Sequence, residues 1–374
     1  MTGPIAPVAP EVLRWARESA GITEEEAARR IGLSTTDRLV KAETGESPLT
    51  LSQVRKAARV YQRPLAVLLL PTPLEEDPPE VQFRRLRDAP SLPWPPAMRA
   101  LSRSVTALQD EAAELFESLD EEPRWRALIE VFNTTSDPAQ LAVKLREILG
   151  VELSDQKAAA RVDQQGFRTF RIWREAIEDQ GILVLQDGSL ELDDMRGFAS
   201  PHERVPAIVL NTTDDVRARL FTMFHELAHV FWTGIDEHRF DEFAAATLLP
   251  ADAFARDFNG AAGSLLEKID AVARVYGVTS DAAAVRVGWL KLAAWDDVNE
   301  SRAEIRRRAG ERAERPGGGN FYRNVVVRMG PRFVGRVLEA VDTSALSAIG
   351  ASRVLGVRVG HLEDLRAELK GSSG

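Results

Sequence analysis

The stretch Phe221-Thr222-Met223-Phe224-His225-Glu226-Leu227-Ala228-His229-Val230-Phe231-Trp232 decides how this chain is read. Residues four apart share one face of a helix, so His225 and His229 offer two imidazole nitrogens to a single ion. Glu226, between them, is placed to hold a water on that ion and act as its general base. Zinc brings the pKa of such a water down to ~7, so the glutamate can take its proton as it attacks a peptide carbonyl. The flanks Phe221, Phe224, Leu227, Ala228, Phe231 and Trp232 are apolar. Two histidines and a carboxylate are costly to bury on such a helix without a common partner. The competing reading, a pair of solvated surface histidines, fits those flanks poorly.

A zinc centre that does chemistry needs a third protein ligand and one open position. Downstream, Ile235–Pro250 contains Asp236, Glu237, Asp241 and Glu242, on a segment whose spacing predicts a helix over Asp236–Leu249. Glu237 and Asp241 share a face, while Phe240, Phe243, Ala244 and Leu248 mark the buried side. Spacing does not choose among the carboxylates, and His238 is expected to face solvent.

The bulk numbers set the frame. At 374 residues, with 44% hydrophobic and 28% charged side chains, the chain has length for two or three domains with real cores. No segment approaches 18 consecutive apolar residues, and the Pro-rich start lacks the basic and apolar regions of a signal peptide. With no cysteine there is no disulfide, a cytoplasmic home is favoured, and any metal site must use His, Asp and Glu. The net charge of −9 argues against a surface coated with phosphate-binding groups. Residues 1–72, however, carry 10 Lys/Arg against 8 Asp/Glu, so a small, slightly basic module sits on an acidic body.

That module reads as short helices. Val12, Leu13 and Ala16 line one face of the first, Glu25–Ile31 forms the second, and Thr35–Thr44 the third, with Ser34 as its expected N-cap. Leu51–Tyr61 and Leu65–Leu70 close the bundle. Between helices two and three, Gly32 permits a sharp turn, and Ala28 and Ile31 let the helices meet closely. A helix-turn-helix of this kind would present Ser34, Thr35, Thr36, Arg38 and Lys41 to phosphates and base edges.

Residues 71–96 hold eight prolines and read as a linker. Met98, Leu101, Val105, Leu108, Ala112, Leu115 and Leu119 then alternate spacings of three and four, either a dimer seam or a helix lying on its own domain. Helices are expected over Asp137–Leu149 and Gln156–Ile177, strands over Gly181–Gln186, Gly197–Ser200 and Ala207–Asn211, and a helix over Leu265–Tyr276. Arg302–Gly319 reads as a charged loop, and Val325 onward as helices again. Ala351–Val357 could pass for a second helix-turn, with a packing element the favoured reading. The expected fold class is mainly α with a small β-sheet (α+β). The domains are taken as 1–72, 73–121, 122–300 and 301–374.

The run FTMFHELAHVFW, preceded by a strand ending AIVLN and followed by E-x-x-x-[ND]-x-F-A-A-x-x-L-x-P, resembles the ImmA/IrrE family of metallopeptidases. Those proteins look like minimal zincins and cleave helix-turn-helix repressors. The resemblance implies Glu237 as third ligand, with Asp241 standing where Asn is commoner, and Asp241 and Glu242 as the alternatives. The short connection from His229 to Glu237 calls for a tight turn at Thr233-Gly234. The N-terminal module, with its Gly-Leu-Ser turn and Ala42-Glu43-Thr44-Gly45-Glu46 ending, resembles the Xre/Cro-type helix-turn-helix. Together with RPLAVLLLP, FRRL and the Gly317–Tyr322 region, it is similar to Xre–ImmA/IrrE fusion regulators over nearly the whole chain.

The resemblance implies a DNA-binding regulator with a zinc endopeptidase domain. It would act on operator DNA and on a helix-turn-helix repressor, or on its own linker, after a stress or prophage signal. A homodimer would suit the usual half-site spacing of ~34 Å. The alternative function is a non-catalytic regulator whose zincin-like domain senses a ligand or metal, and an antitoxin-like partner is a third.

Overall fold

The structure is a computed structural model that describes residues 4–75, 95–232, 235–310 and 320–372. The turn expected at Thr233-Gly234 and most of the Pro-rich linker lie outside the described residues. The chain divides into two compact units, residues 1–106 and 107–374. Helices dominate, around one small sheet, as the composition of the segments implied.

In the first unit α1 (Pro10–Ser19), α2 (Glu24–Ile31), α3 (Thr36–Glu43), α4 (Leu51–Val60) and α5 (Leu65–Leu68) enclose a core of Val12, Leu13, Ala16, Ile31, Leu39 and Val54. Thr23 caps α2, and Gly32 ends it in the left-handed region at φ 80°, where a Cβ would cost about 1 kcal/mol. The helix after the turn is capped by Thr35, whose hydroxyl accepts from the Arg38 N–H, and not by Ser34. The reason is register: α3 starts at Thr36, so the hydroxyl facing its third amide is that of Thr35. Glu43 is buried and takes a two-pronged ion pair from Arg17 of α1, at 2.8 and 2.9 Å, which locks α3 against α1.

The helix carrying the heptad is α6 (Pro96–Ser118), and the division between the units falls within it. Met98, Val105, Ala112 and Leu115 of its apolar stripe are buried within the chain, so that stripe is no free seam for a second copy.

The second unit continues with α7 (Arg126–Thr134), α8 (Pro138–Leu149), α9 (Leu153–Val162) and α10 (Phe167–Glu178). One helix was expected over Gln156–Ile177. Two are found, because Asp163 turns its carboxylate onto the N–H groups of Gln165 and Arg168 while Gly166 adopts φ 93°. Strands β1 (Leu183–Asp187), β2 (Gly197–Ser200) and β3 (Ala207–Asn211) follow, in the sheet order β1-β3-β2. β3 is central, parallel to β1 with Leu183 opposite Ala207 and antiparallel to β2 with Gly197 opposite Leu210. All five of its residues are buried, as a strand covered on both faces requires.

Beyond the sheet run α11 (Val216–Phe231), α12 (Glu237–Leu248), α13 (Ala251–Gly260), α14 (Leu265–Tyr276), α15 (Ser280–Trp289) and α16 (Trp295–Gly310). Arg302–Gly310, expected as loop, belongs to α16; Glu304 holds Arg307 and Arg308 at 2.8 and 2.9 Å, the spacing that supports a solvated helix. Residues 311–319 lie outside the described residues.

The remaining helices are α17 (Phe321–Met329), α18 (Pro331–Asp342), α19 (Ala348–Leu355) and α20 (Leu362–Ser372). Ala351, Val354, Leu355 and Val357 are buried, which makes that stretch a packing element. This region closes the outer side of β1: the Val327 carbonyl accepts from Gln186 Nε2 at 3.0 Å and from Arg174 Nη1 at 2.8 Å. Among the described residues, no helix is long and apolar enough to cross a membrane.

Candidate metal centre

The site begins at the end of β3. Asn211 is fully buried, and its amide nitrogen donates to the carbonyls of Leu190 and Met195 at 2.8 Å while its oxygen accepts from the N–H and hydroxyl of Thr213. This satisfied amide ties the loop between β1 and β2 to the segment leading into the next helix. Asp215 then caps α11, accepting from the Arg217 N–H at 2.9 Å. Leu220, Met223, Phe224, Leu227 and Phe231 recur at helical spacing and are buried, with Phe224 set edge-on to Trp173 of α10 at 5.0 Å. The opposite stripe of α11 carries Thr222, His225, Glu226 and His229.

The second contributor is α12. Phe240, Phe243, Ala244 and Leu248 are buried as expected, and the last carbonyls of the segment have side-chain partners. Thr247 accepts from Arg146 Nη1 at 2.7 Å, Leu248 from Gln156 Nε2 at 3.0 Å, and Leu249 from Arg286 Nε at 3.0 Å. Orphan carbonyls at a helix end need such partners when buried, and cations suit the negative end of the helix dipole. Three side chains from α8, α9 and α15 thus fix where α12 points its first turn.

That turn delivers Glu237. Its Oε1 lies 2.8 Å from His225 Nε2 and 3.0 Å from His229 Nε2, and the two imidazole nitrogens are 3.1 Å apart. His225 Nδ1 meets Asp241 Oδ1 at 2.9 Å. A neutral His225 that donates Nδ1–H to Asp241 turns an Nε2 lone pair toward the Glu237 oxygen. Three acceptors then face one another within 4.8 Å, an arrangement that repels itself unless a cation lies between them. The donor set of two imidazoles and one carboxylate suits zinc. The electrostatics agree. Burial works against charge on His225, but the hydrogen bonds to Asp241 and Glu237 outweigh it and raise its pKa. Burial, followed by the neighbouring His225 charge, lowers that of His229.

Glu226 is buried on the same stripe. It lies against β2 at Gly197, where an added Cβ would fall 2.9 Å from the Val209 carbonyl, 2.7 Å from Thr222 Cγ2 and 3.3 Å from Glu226 Cγ. The missing side chain is what lets the strand approach the helix, a role no sequence pattern had marked. In the sheet order β2 is an edge strand, laddered to β3, and its Ser200 carbonyl accepts from Gln109 Nε2 at 2.8 Å.

Each carboxylate that spacing left open now has a place. Glu237 faces both histidines, Asp241 orients the far nitrogen of His225, and Glu242 pairs with the exposed His238 at 3.3 Å. In the N-terminal unit Ser34, Thr35 and Lys41 are exposed and Thr36 is half-buried. Lys41 is held by Asp37 at 2.7 Å. Arg38 instead turns inward, donating to the carbonyls of Ser47 and Pro48. Lys56 of α4, unmarked in the sequence, brings its amine to the turn at Gly32.

A three-stranded sheet backed by a helix with two histidines four apart, and a following helix that returns an acid, defines a metallopeptidase-like domain of the zincin type. Residues 177–287 match the peptidase family described as the IrrE N-terminal-like domain, and residues 13–68 match the helix-turn-helix family. The chain therefore joins an Xre-type helix-turn-helix, a DNA-binding class of domain, to an IrrE/ImmA-like metallopeptidase-type domain. No curated protein and no solved structure matches it significantly.

Proposed function

We propose that the chain is a cytoplasmic DNA-binding regulator whose region 122–300 is a zinc-dependent endopeptidase acting on a repressor-type protein, or on the chain's own linker, after a stress or prophage signal. The convergence of His225, His229 and Glu237 beside buried Glu226 carries the proposal. His225, His229 and Glu237 hold the ion, and Asp241 orients His225. When bound, zinc supplies Lewis acidity to the scissile carbonyl and to the attacking water. Glu226 accepts that water's proton at its carboxylate and passes it to the leaving amine.

On this reading Ser34, Thr35, Thr36 and Lys41 meet DNA. Arg38 acts there mainly by holding the loop at Ser47–Pro48 in place. A twofold dimer on DNA half-sites would need a surface other than the α6 stripe.

The test is cleavage of the isolated chain's linker, and of a co-expressed helix-turn-helix repressor, by wild type and Glu226→Gln. The variant should retain its metal and lose cleavage. A Glu226→Gln protein that cuts at the wild-type rate contradicts the mechanism.

A further inference from the structure

A cavity of about 800 Å³ lies between α10, the start of α11, α17 and α20, away from the metal centre and within the second unit. Its volume falls in the range of small-molecule sites, ~300–1,000 Å³. Phe170, Val216, Val326 and Val327 give it apolar walls. Five guanidinium groups, those of Arg168, Arg171, Arg174, Arg219 and Arg323, line it against three carboxylates, Glu175, Asp364 and Glu368.

The carboxylates are engaged: Glu175 by Arg332 at 3.4 Å, Glu368 by Asn320 at 3.3 Å, and Asp364 by the Tyr322 hydroxyl. Arg174 is committed to Glu178 and to backbone carbonyls. Arg219 is not so satisfied. Its residue is 8% exposed, one nitrogen donates to Gln186 Oε1, its guanidinium lies 5.6 Å from the Phe170 ring centre, and its Nε has no hydrogen-bond partner. A buried guanidinium with an idle N–H is costly to maintain. At the rim, Arg168 and Arg323 have no carboxylate partner among the described residues.

We infer that this cavity binds a small organic anion, its carboxylate, sulfonate or phosphate head on Arg219 and Arg323 and its apolar body against Phe170 and Val326. The charged head meets guanidinium groups that line the cavity, and the apolar walls exclude water from the contact, which strengthens it. The inference concerns binding alone and does not depend on peptidase activity. Arg219 stands on the helix that also carries His225, so an occupant would contact the element that positions the metal centre.

The test titrates the full chain with 8-anilinonaphthalene-1-sulfonate by fluorescence, and in parallel with N-phenyl-1-naphthylamine, an uncharged analogue. The wild type should bind one sulfonate probe saturably. Arg323→Glu, an exposed change that leaves the fold intact, should weaken that binding by about tenfold or more and leave the uncharged probe within about twofold. Arg219→Met, checked for folding by circular dichroism, should abolish sulfonate selectivity. Absence of a saturable sulfonate site, or an Arg323→Glu protein that binds both probes as the wild type does, would overturn the inference.

Discussion

Replacing Asp241 separates a ligand from a residue that orients one. Its Oδ1 accepts from His225 Nδ1 at 2.9 Å, on the side of the ring away from Glu237. Removing the partner of a ligating histidine costs ~10–100-fold in metal affinity, or ~1.4–2.7 kcal/mol. The Asp241 side chain is 43% exposed, so screening places Asp241→Ala near the lower end, about tenfold. Asparagine keeps an oxygen acceptor at the same reach, so Asp241→Asn should stay within about threefold of wild type. Competition with a chromophoric chelator at fixed pH measures both, with Glu237→Ala as the reference for a lost ligand.

A pH series adds a second readout. The raised pKa of metal-free His225 means that zinc must displace a proton, so apparent affinity rises with pH by up to about tenfold per unit. That slope should flatten in Asp241→Ala, which loses the first of the carboxylate hydrogen bonds that hold the proton. Asp241→Ala binding zinc as poorly as Glu237→Ala would make Asp241 a ligand. Wild-type affinity in Asp241→Ala would remove its role altogether.

Three further outcomes follow from the packing. Gly197→Ala should keep zinc and lose most cleavage, because its Cβ pushes β2 off the Val209 carbonyl and crowds Glu226; metal content measured beside activity separates the two effects. Buried Glu178, paired with Arg174 at 2.7 Å, has its pKa pushed up to about 7, chiefly by burial. A raised carboxylate pKa favours the folded state below its unfolded value, and that contribution, at most about 3 kcal/mol, is lost as pH rises through about 7. Melting temperature should therefore fall between about pH 5 and 7.5 in wild type and change less in Glu178→Gln; equal slopes would refute it. Arg38→Ala should destabilise the N-terminal unit by about 0.5–1.5 kcal/mol through the lost hydrogen bonds to the carbonyls of Ser47 and Pro48, seen in its urea midpoint, whereas Lys41→Ala should leave stability within about 0.5 kcal/mol and weaken DNA binding.

The parts of this molecule that are legible in its sequence are those where one periodicity acts alone. Ala207–Asn211 and Gly197–Ser200 stand out as strands because short apolar runs are bounded by turn residues, and α11 stands out through its buried stripe and its two histidines. Choosing Glu237 over Asp241 on geometry needed the direction of α12, which is set by Arg146, Gln156 and Arg286 reaching its last carbonyls from distant helices. No local pattern encodes such contacts. The break at Gly166 was hidden because Asp163 and Gly166 act through side-chain capping and a left-handed backbone inside an apolar repeat. The α6 heptad left two readings open for the converse reason: a stripe that suits a partner helix equally suits the chain's own core, where Met98, Val105, Ala112 and Leu115 are buried. Arg38 shows the same limit in the helix-turn-helix, since an arginine at the start of its second helix and one that ties down the next loop look identical until the loop is in place.

The most direct test of the account is the metal content of the full chain purified without added metal, in wild type and Glu237→Ala side by side. The account predicts one zinc per wild-type chain and a clear loss in the variant. A wild-type chain that carries no metal, or a Glu237→Ala chain that keeps its full complement, would contradict a three-ligand centre built by His225, His229 and Glu237.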